Sequence, residues 1–320
     1  MSSQSKIALV SSPAILFLLL CLFCSRVTAV SGMDVVVQVP QELAANAKTS
    51  TVVDMTVEEL HQHYPEELID LEFNASQDEL GLILLKVGGK VEALFRDFSN
   101  TASKEQVRLE KLALDGRVDY STKKNYNYLI LVDPQEAGIR FREDRTDSRG
   151  HQVNPERMSG YVISSGYAGL CIFLHPSHQF GSRFRYLGRQ TSEPFAHLIA
   201  FAQKPEVGDF LASFIDKQWG SRRLLFQGIV WVDPYTNQIV RMRTELLSPD
   251  RYISLTKQST DIWLSEVRFD AASQSFWLPR EVTVTCRWAG MTLRNRHRYS
   301  DYRLFTIESY DKVGQPQIKK

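Results

Sequence analysis

The feature that most constrains the fold is the texture of the chain from about residue 107 onward, where short runs of alternating apolar and polar residues follow one another. In the clearest run, EVTVTCRW, Val282 and Val284 alternate with polar side chains. A period of two gives a strand one dry and one wet face, which is typical of an antiparallel sheet. Gly, Pro, Asp or Asn separate the runs at hairpin-scale intervals. The sequence therefore predicts an antiparallel β domain over 107–310.

A helical segment is predicted ahead of the strands, over 53–106, and the run SKEQVRLEKL at its end either extends the helical region or begins a strand. Thr56 and Glu59 have the spacing of a capping box, and Ser76 and Glu79 repeat that spacing before a run with helical period. Helices that precede strands, without alternation between the two, are typical of an α+β protein. We therefore expect a curved antiparallel sheet, or half-open β-barrel, with an N-terminal helical segment.

Three local features of the pattern are ambiguous. Gly88 and Gly89 either weaken the second helix, at about 1 kcal/mol each relative to Ala, or permit close approach of another element. The apolar run LCIFL, 170–174, is predicted as a strand, and residues 205–221 are predicted to hold a helix between strands.

The two ends of the chain differ from the middle. The apolar run IALVSSPAILFLLLCLFC ends at Cys24, and small residues precede Ala29, so residues 1–29 are predicted to be a signal peptide cut after Ala29. The alternative is an uncleaved membrane anchor. Residues 30–52 are predicted to be a flexible leader and residues 311–320 a tail. We expect a protein secreted through the inner membrane, most simply to the periplasm.

Net charge and cysteine content limit the function classes. A net charge of +1 and an exported chain do not suggest nucleic acid as a partner. Without the signal, Cys171 and Cys286 remain, which form either a disulfide or two buried thiols. No P-loop, dinucleotide motif or C-x-x-C occurs after the signal, so no cofactor is expected.

Two Val-Asp-Pro segments raise the question of a pair of catalytic carboxylates. Asp133 and Asp233 each stand between apolar runs and before turn-forming residues. Asp before Pro is first of all a turn signal, and nothing in the flanks supplies a second acid, so we interpret both as hairpin turns. His175 and His178 have a helical metal-ligand spacing without an evident third ligand, and no metal site or catalytic residue is expected.

Aromatic and basic residues supply the candidate contact residues. Aromatic residues on strands are usually core, although the same residues can line a cavity that holds an acyl chain. The basic cluster near the C-terminus is either a solvated strand face or a contact for an anionic partner. The candidate ligand-binding residues are Trp231, Met242, Trp263, Trp277 and Trp288, and the candidate anion contacts are Arg287, Arg294, Arg296 and Arg298.

Three segments carry a family resemblance: FQGIVWVDPYTNQIVRMRTELL, FWLPREVTVTC and NRHRYSDYRLF. Over about 180–310 their order resembles the outer-membrane lipoprotein-sorting proteins and the LolA-like fold. Over about 60–310 the chain is similar to uncharacterised exported proteins of soil acidobacteria, which share the segment written here as VGGKVEALFRDF. The resemblance implies a half-open antiparallel barrel with helices over its concave side and an apolar cavity for acyl chains.

Two functional hypotheses follow for this chain. The first is a non-enzymatic periplasmic binding or carrier protein for a lipid or an acylated protein. The second is an envelope module that binds another protein through its basic strand face or its front helix. A hydrolase without a recognisable motif is the third alternative, and it requires a polar cleft with clustered acids or histidines.

Overall fold

The computed structural model of the protein describes residues 50–98, 100–132, 141–153, 170–207, 212–216, 220–269 and 275–305. The predicted signal peptide, nearly all of the predicted leader, the C-terminal tail and Asp133 lie outside the described residues. None of the helices in the described ranges is long and apolar enough to cross a membrane.

The described chain contains two α-helices, two short 3-10 helices and thirteen strands. The helices are α1, Val57–His63, and α2, Leu80–Asp97, and the 3-10 helices are Leu170–Leu174 and Gln179–Gly181. The strands are β1 Leu71–Phe73, β2 Thr101–Leu112, β3 Val118–Val132, β4 Phe141–Thr146, β5 Ser182–Gln190, β6 His197–Gln203, β7 Ala212–Asp216, β8 Gly220–Leu224, β9 Phe226–Val232, β10 Ile239–Leu246, β11 Leu255–Arg268, β12 Ser275–Trp288 and β13 Met291–Leu304.

Eleven of these strands form one antiparallel sheet that does not close on itself. Its order is β1-β5-β6-β9-β10-β11-β12-β13-β2-β3-β4, and β7 pairs with β8 in a separate hairpin. From β9 to β13 the strands lie side by side in chain order, as short hairpin loops dictate. The meander β2–β4 joins at the far edge of β13. The predicted α+β fold with an open antiparallel sheet is confirmed.

Two helical layers cover different parts of the sheet. On one face, α2 and the first 3-10 helix pack on residues such as Ile262 and Val284. On the opposite face, the segment around α1 packs on β5, β6, β9 and β10, where Trp231 is fully buried. β9 is buried along its whole length because it lies between both layers. We call the two sides the α2 face and the α1 face.

The helix starts agree only partly with their sequence signals. At α1 the capping box is confirmed: Oγ1 of Thr56 accepts from the amide of Glu59, and the Glu59 carboxylate accepts from the amide of Thr56. The second capping box is wrong, because Ser76 donates to Asp78 instead and Glu79 makes no side-chain cap bond. Asp78 lies nearer to the Ser76 hydroxyl in sequence and takes its hydrogen bond.

The predicted helical segment 53–106 extends too far. β2 already begins at Thr101, where Thr101, Ser103 and Glu105 are buried in alternation with more exposed residues. The polar stretch lacks apolar residues at helical spacing, and pairing with β3 and β13 on both sides makes it a central strand. The boundary between helical and β regions therefore lies between α2 and Thr101.

Two other local predictions are wrong. The run 170–174 forms a 3-10 helix rather than a strand, and the described part of 205–221 contains the paired strands β7 and β8 where a helix was proposed. Short apolar runs have too few residues for their period to distinguish helix from strand. Packing in the core therefore decided the first segment, and strand pairing decided the second.

The turn at Asp233 agrees with its sequence signal. Oδ1 of Asp233 accepts from the amides of Tyr235 and Thr236 at 2.9 and 2.7 Å and from the Thr236 hydroxyl at 3.0 Å. Asn237 adopts a positive φ of 57°, which Asn tolerates better than most residues. The carboxylate therefore shapes the hairpin between β9 and β10.

Candidate functional site

An open cleft of about 620 Å³ lies between the C-terminal half of α2 and one end of strands β10–β12. This volume lies within the usual range for small-ligand sites. One wall comes from α2, through Lys90, Val91, Ala93 and Leu94. The remaining lining residues are Cys171, Gln238, Ile239, Leu264, Glu266, Arg268, Phe269, Ser275, Phe276 and Trp277.

A small apolar pocket of about 20 Å³ adjoins the cleft, because the two share Leu94, Cys171 and Ile239 among their linings. Met242 and Ile262 belong to the small pocket alone. Its volume is roughly that of one water-sized sphere, so a longer ligand needs the side chains to move apart. We call this space the inner pocket. The cleft therefore leads from a polar mouth toward a dry interior.

Two β-bulges shape this end of the sheet. In β10 the register shifts between Ile239 and Arg241, which leaves Val240 as an extra residue. In β12 the register shifts between the pairs Trp263–Glu281 and Leu264–Pro279, which leaves Arg280 as an extra residue. Bulges of this kind re-aim the side chains that follow them. Arg241 pairs with Trp263 of β11, and Trp263 pairs with Glu281 of β12. The two bulges therefore lie on opposite sides of β11, both next to Trp263.

The bulges decide which residues reach the cleft. Strict alternation predicts Val240 on the same side as Met242, but Val240 packs with the α1 layer, and Ile239 lines the cleft with Met242. Beyond the second bulge, Trp277 lines the cleft beside the even-numbered Phe276, and it also packs against the α1 layer. Proline inside a strand is a bulge signal, so Pro279 marks this site in the sequence.

A single glutamine anchors the helical wall. Nε2 of Gln179 donates to the carbonyl oxygens of Leu84 in α2 and Leu174 in the 3-10 helix, at 3.0 and 2.8 Å. Gly88 lies beneath this side chain, in buried contact with the same segment. The α2 wall is thereby held against the segment that carries Cys171.

The rim of the cleft is polar and charged. Arg268 pairs with Glu266 at 3.1 Å, and both side chains are at least one-third exposed. Hydrogen bonds from Ser275 and then from Arg268 lower the pKa of Glu266. Lys90 adds an exposed cation from α2. The mouth therefore offers both signs of charge to a polar group while the interior stays apolar.

The structure brings two of the five ligand-binding candidates to the cleft. Met242 lines the inner pocket, and Trp277 lines both spaces. Trp231 and Trp263 lie on the α1 face, where the Arg241 guanidinium lies 4.5 and 4.6 Å from the centres of their rings. Trp288 donates from Nε1 to the Ile253 carbonyl at 2.8 Å and lies outside the cleft lining.

The cysteines are buried thiols, and no disulfide joins Cys171 to Cys286. Burial raises the pKa of each thiol to about 12. Both side chains therefore stay protonated at neutral pH, and a thiol is a far weaker nucleophile than a thiolate. Cys171 acts as a small apolar residue of the cleft wall.

A buried polar cluster lies elsewhere on the α2 face. The Glu105 carboxylate accepts two bonds from Arg145, at 2.5 and 2.8 Å, one from the Tyr299 hydroxyl at 2.8 Å, and lies 2.9 Å from Nδ1 of His297. Burial alone would raise the pKa of Glu105, but Arg145 and His297 outweigh it and the pKa is lowered. Glu105 and Arg145 therefore form a buried ion pair, with His297 and Tyr299 as its buried hydrogen-bond partners.

The predicted anion contacts all lie on the α1 face, on strands β12 and β13. Arg294 and Arg296 lie 2.6 and 3.5 Å from the buried Glu110 carboxylate, and Arg298 lies 3.3 Å from Glu281. Arg287 is exposed and opposite Lys257. The sequence did not single out the cations of the neighbouring strands, because they are distant from this cluster in the chain.

Histidines and acids do not assemble into a metal site in the part of the chain that the structure describes, where no group of three potential ligands occurs. His175 and His178 have ring centres 5.9 Å apart. Burial, and then the neighbouring His178, lowers the pKa of His175.

No family model matches the chain, and no curated protein matches it either. Among solved structures, the chain is similar to an outer membrane lipoprotein-sorting protein domain from Vibrio parahaemolyticus, with 10% identity and a TM-score of 0.35 over 73% of this chain and 94% of that one. It is also similar to a DUF1329 family protein from Desulfovibrio piger ATCC 29098, with 9% identity and a TM-score of 0.37 over 75% and 95% of the two chains. A lipoprotein-sorting protein domain, the kind of protein that the sequence resembles, is thus also found among the similar solved structures. At these identities neither description extends to the ligand or activity of this chain.

Proposed function

We propose that the protein is a non-enzymatic carrier that binds the apolar chain of a lipid or an acyl-modified partner in the cleft. The observation that supports this most is the shape of the cleft, which runs from a charged mouth to an apolar inner pocket. Ligand sites with mostly apolar walls and a few polar groups suit amphipathic molecules.

The distribution of charge sets the orientation of such a ligand. Its apolar chain lies along Leu94, Leu264 and Trp277 toward Met242, where dry contacts replace water. Its polar group stays at the mouth, near Lys90 and Arg268, where water and opposite charge stabilise it. The inner pocket opens further by rotation of the flexible Met242 side chain.

The side chains of the wall favour binding over chemistry. The raised pKa of Cys171 keeps the thiol nearest the cleft uncharged. Glu266 is already paired with Arg268 at the exposed rim. General acid–base catalysis requires a group whose pKa is poised near the operating pH. The lowered pKa of Glu266 moves it away from that range.

The proposal places the protein outside the inner membrane. The apolar run that ends at Cys24 and the small residues before Ala29 support export with cleavage after Ala29. N-terminal sequencing of the protein from its own cell envelope tests this part separately, and a mature chain that begins at Val30 is expected.

The first test of the cleft is direct. Protein purified from its own envelope is extracted with organic solvent, and the extract is analysed by mass spectrometry. We expect a co-purifying amphiphile. Refolded, delipidated protein should also enhance the fluorescence of N-phenyl-1-naphthylamine, a neutral apolar probe, with saturation at one site.

A matched pair of variants locates the probe. Ala93→Trp places a large ring in the cleft wall, whereas Glu92→Trp adds the same ring at the preceding position of α2, which is exposed and outside the lining. We expect Ala93→Trp to weaken probe binding at least ten-fold and Glu92→Trp to leave it within about two-fold. Equal effects of the two variants, or no bound amphiphile and no probe binding, would refute a carrier role for the cleft.

A further inference from the structure

Among the residues that the structure describes, the α1 layer covers only part of the α1 face of the sheet. The α1 layer packs on β5, β6, β9 and β10. Side chains directly opposite on neighbouring strands share a face, and a chain of such pairs runs from Trp231 through Arg241, Trp263 and Glu281 to Arg298. The uncovered part of this face, which we call the basic face, carries the cations Lys104, Arg108, Lys123, Lys257, Arg287, Arg294, Arg296 and Arg298.

Three of these cations are in register on adjacent strands. Arg296 of β13 lies opposite Arg108 of β2, which lies opposite Lys123 of β3. All three side chains are exposed. Like charges directly opposite each other destabilise a sheet. Residues that destabilise the fold in this way are typical of functional surfaces.

Carboxylates offset the basic face only in part. Glu110 pairs with Arg294 and Arg296, and Glu281 pairs with Arg298. Within the described residues, neither Arg108 nor Lys123 has an ion-pair partner. The whole chain carries only +1, so this excess is a local segregation of charge, of the kind that attracts an anionic surface.

An exposed apolar tip adjoins the basic face. The turn between β2 and β3 carries Leu114, which is 95% exposed. Arg108 and Lys123 belong to the same hairpin. A basic surface with an exposed apolar residue at its edge matches the interface of a bilayer, where cations meet headgroups and apolar groups reach the acyl boundary.

We propose that the basic face docks the protein on a bilayer that contains anionic phospholipid, with Leu114 entering the interface. Guanidinium groups bind phosphate oxygens through paired N–H donors. The cations recur on strands about 4.8 Å apart, so several headgroups meet the face at once. A bilayer supplies many anions together with an apolar boundary, which a soluble acidic protein does not combine.

Vesicle co-sedimentation tests this surface. The full mature chain is mixed with vesicles of phosphatidylglycerol and phosphatidylcholine in equal parts, and with vesicles of phosphatidylcholine alone. We expect binding to the anionic vesicles only, with loss as salt shortens the Debye length from about 10 Å at 0.1 M to about 3 Å at 1 M. A soluble acidic polypeptide, added as competitor, should not displace the vesicles at matched charge.

Two pairs of charge changes give the matched comparison. The double variant Arg108→Gln with Lys123→Gln should weaken vesicle binding about five-fold for each cation removed and should raise the thermal midpoint, because it relieves like-charge repulsion. The control Lys86→Gln with Arg189→Gln removes the same charge from exposed positions on α2 and β5 and should bind as the parent does.

Leu114→Asp provides a second variant that leaves the strands intact, and it should also weaken binding. Equal binding to neutral vesicles, equal loss in the control pair, or binding to the acidic polypeptide in preference to vesicles would overturn the proposal. Probe binding in the cleft is measured separately and does not depend on these positions, so the two proposals can fail independently.

Discussion

Gln179 fills the space that a side chain at Gly88 would need. An ideal Cβ at Gly88 lies 2.7 Å from Nε2 of Gln179 and 3.0 Å from the carbonyl oxygen of Leu174. The next residue, Gly89, has open space around its Cβ position. Two adjacent glycines of one helix thus have opposite roles, and only Gly88 permits the close approach that holds the cleft wall.

The two glycines predict opposite changes in stability. Gly89→Ala should raise the free energy of unfolding by about 1 kcal/mol, because Ala is the better helix former. Gly88→Ala should lower it by about 1–3 kcal/mol, because overpacking displaces Gln179 or the backbone of Leu174. Urea denaturation of both variants checks this, and a gain in both would mean that α2 does not contact the 3-10 segment.

The buried pair Glu105–Arg145 should be far more sensitive to loss of one partner than a surface pair. Glu105→Gln should destabilise the protein by about 3–5 kcal/mol, because the buried guanidinium of Arg145 loses the negative charge of Glu105. Glu281→Gln, which breaks the exposed pair with Arg298, should cost about 0–1 kcal/mol. Chemical denaturation of both variants gives the comparison, and equal costs would contradict the burial of the first pair.

His297 predicts a dependence of stability on pH. Burial lowers its pKa in the folded protein, although Glu105 opposes that shift. From the unfolded pKa of about 6.5 downward, the unfolded chain binds a proton that the folded chain resists, so this contribution to stability is lost as pH falls. His297→Gln should therefore flatten the decline in the free energy of unfolding below about pH 7. An unchanged slope would show that His297 does not titrate abnormally.

A buried amide on β11 offers a stabilising substitution. Neither amide atom of Gln258 has a hydrogen-bond partner within the described part of the chain, and the residue is 2% exposed. Gln258→Met should raise the free energy of unfolding by about 1–3 kcal/mol, because an unsatisfied buried polar group is removed. Gln106→Met, on the exposed face of β2, should change it by less than about 0.5 kcal/mol. Thermal and urea melts of the two variants give the comparison.

The turn at Asp233 should lose a modest amount of stability when the acceptor oxygens of its carboxylate are removed. Asp233→Ala removes the acceptor of three hydrogen bonds and should cost about 1 kcal/mol. Asp233→Asn keeps an acceptor oxygen and should cost less. If Asp233→Ala instead abolished ligand binding with stability unchanged, the carboxylate would have a functional role and not a turn role.

The sequence predicted the fold class because alternation and turn residues are local signals. Val282 and Val284 specify a buried face without knowledge of their neighbours, and Asp233 specifies its turn through amides only two and three residues away. The start of β2 was placed too late because its polar residues become buried only through pairing with β3 and β13. Glu105 is the clearest case, since its partners Arg145 and His297 are 40 and 192 residues away.

The cleft residues were only partly predictable for the same reason. The aromatic pattern identified Trp277, but it also selected Trp231, which strict alternation and the pairing of Met242 with Val230 place on the other face. The bulge at Val240 moved Ile239 into the lining, and only Pro279 marks the second bulge in the sequence. The basic face was predicted only in part. Arg296 belongs to a cluster of basic residues that is evident in the sequence, whereas strand register alone brings Arg108 and Lys123 next to it.

The sequence by itself determined the strands β9 to β13 and their order, because these depend on periodicity and turn chemistry within a few residues. The tertiary structure decided which face each side chain occupies near the two bulges, how closely Gly88 approaches the 3-10 segment, and which distant cations share a surface. These outcomes depend on register between strands, and a shift of one residue moves every following side chain to the opposite face.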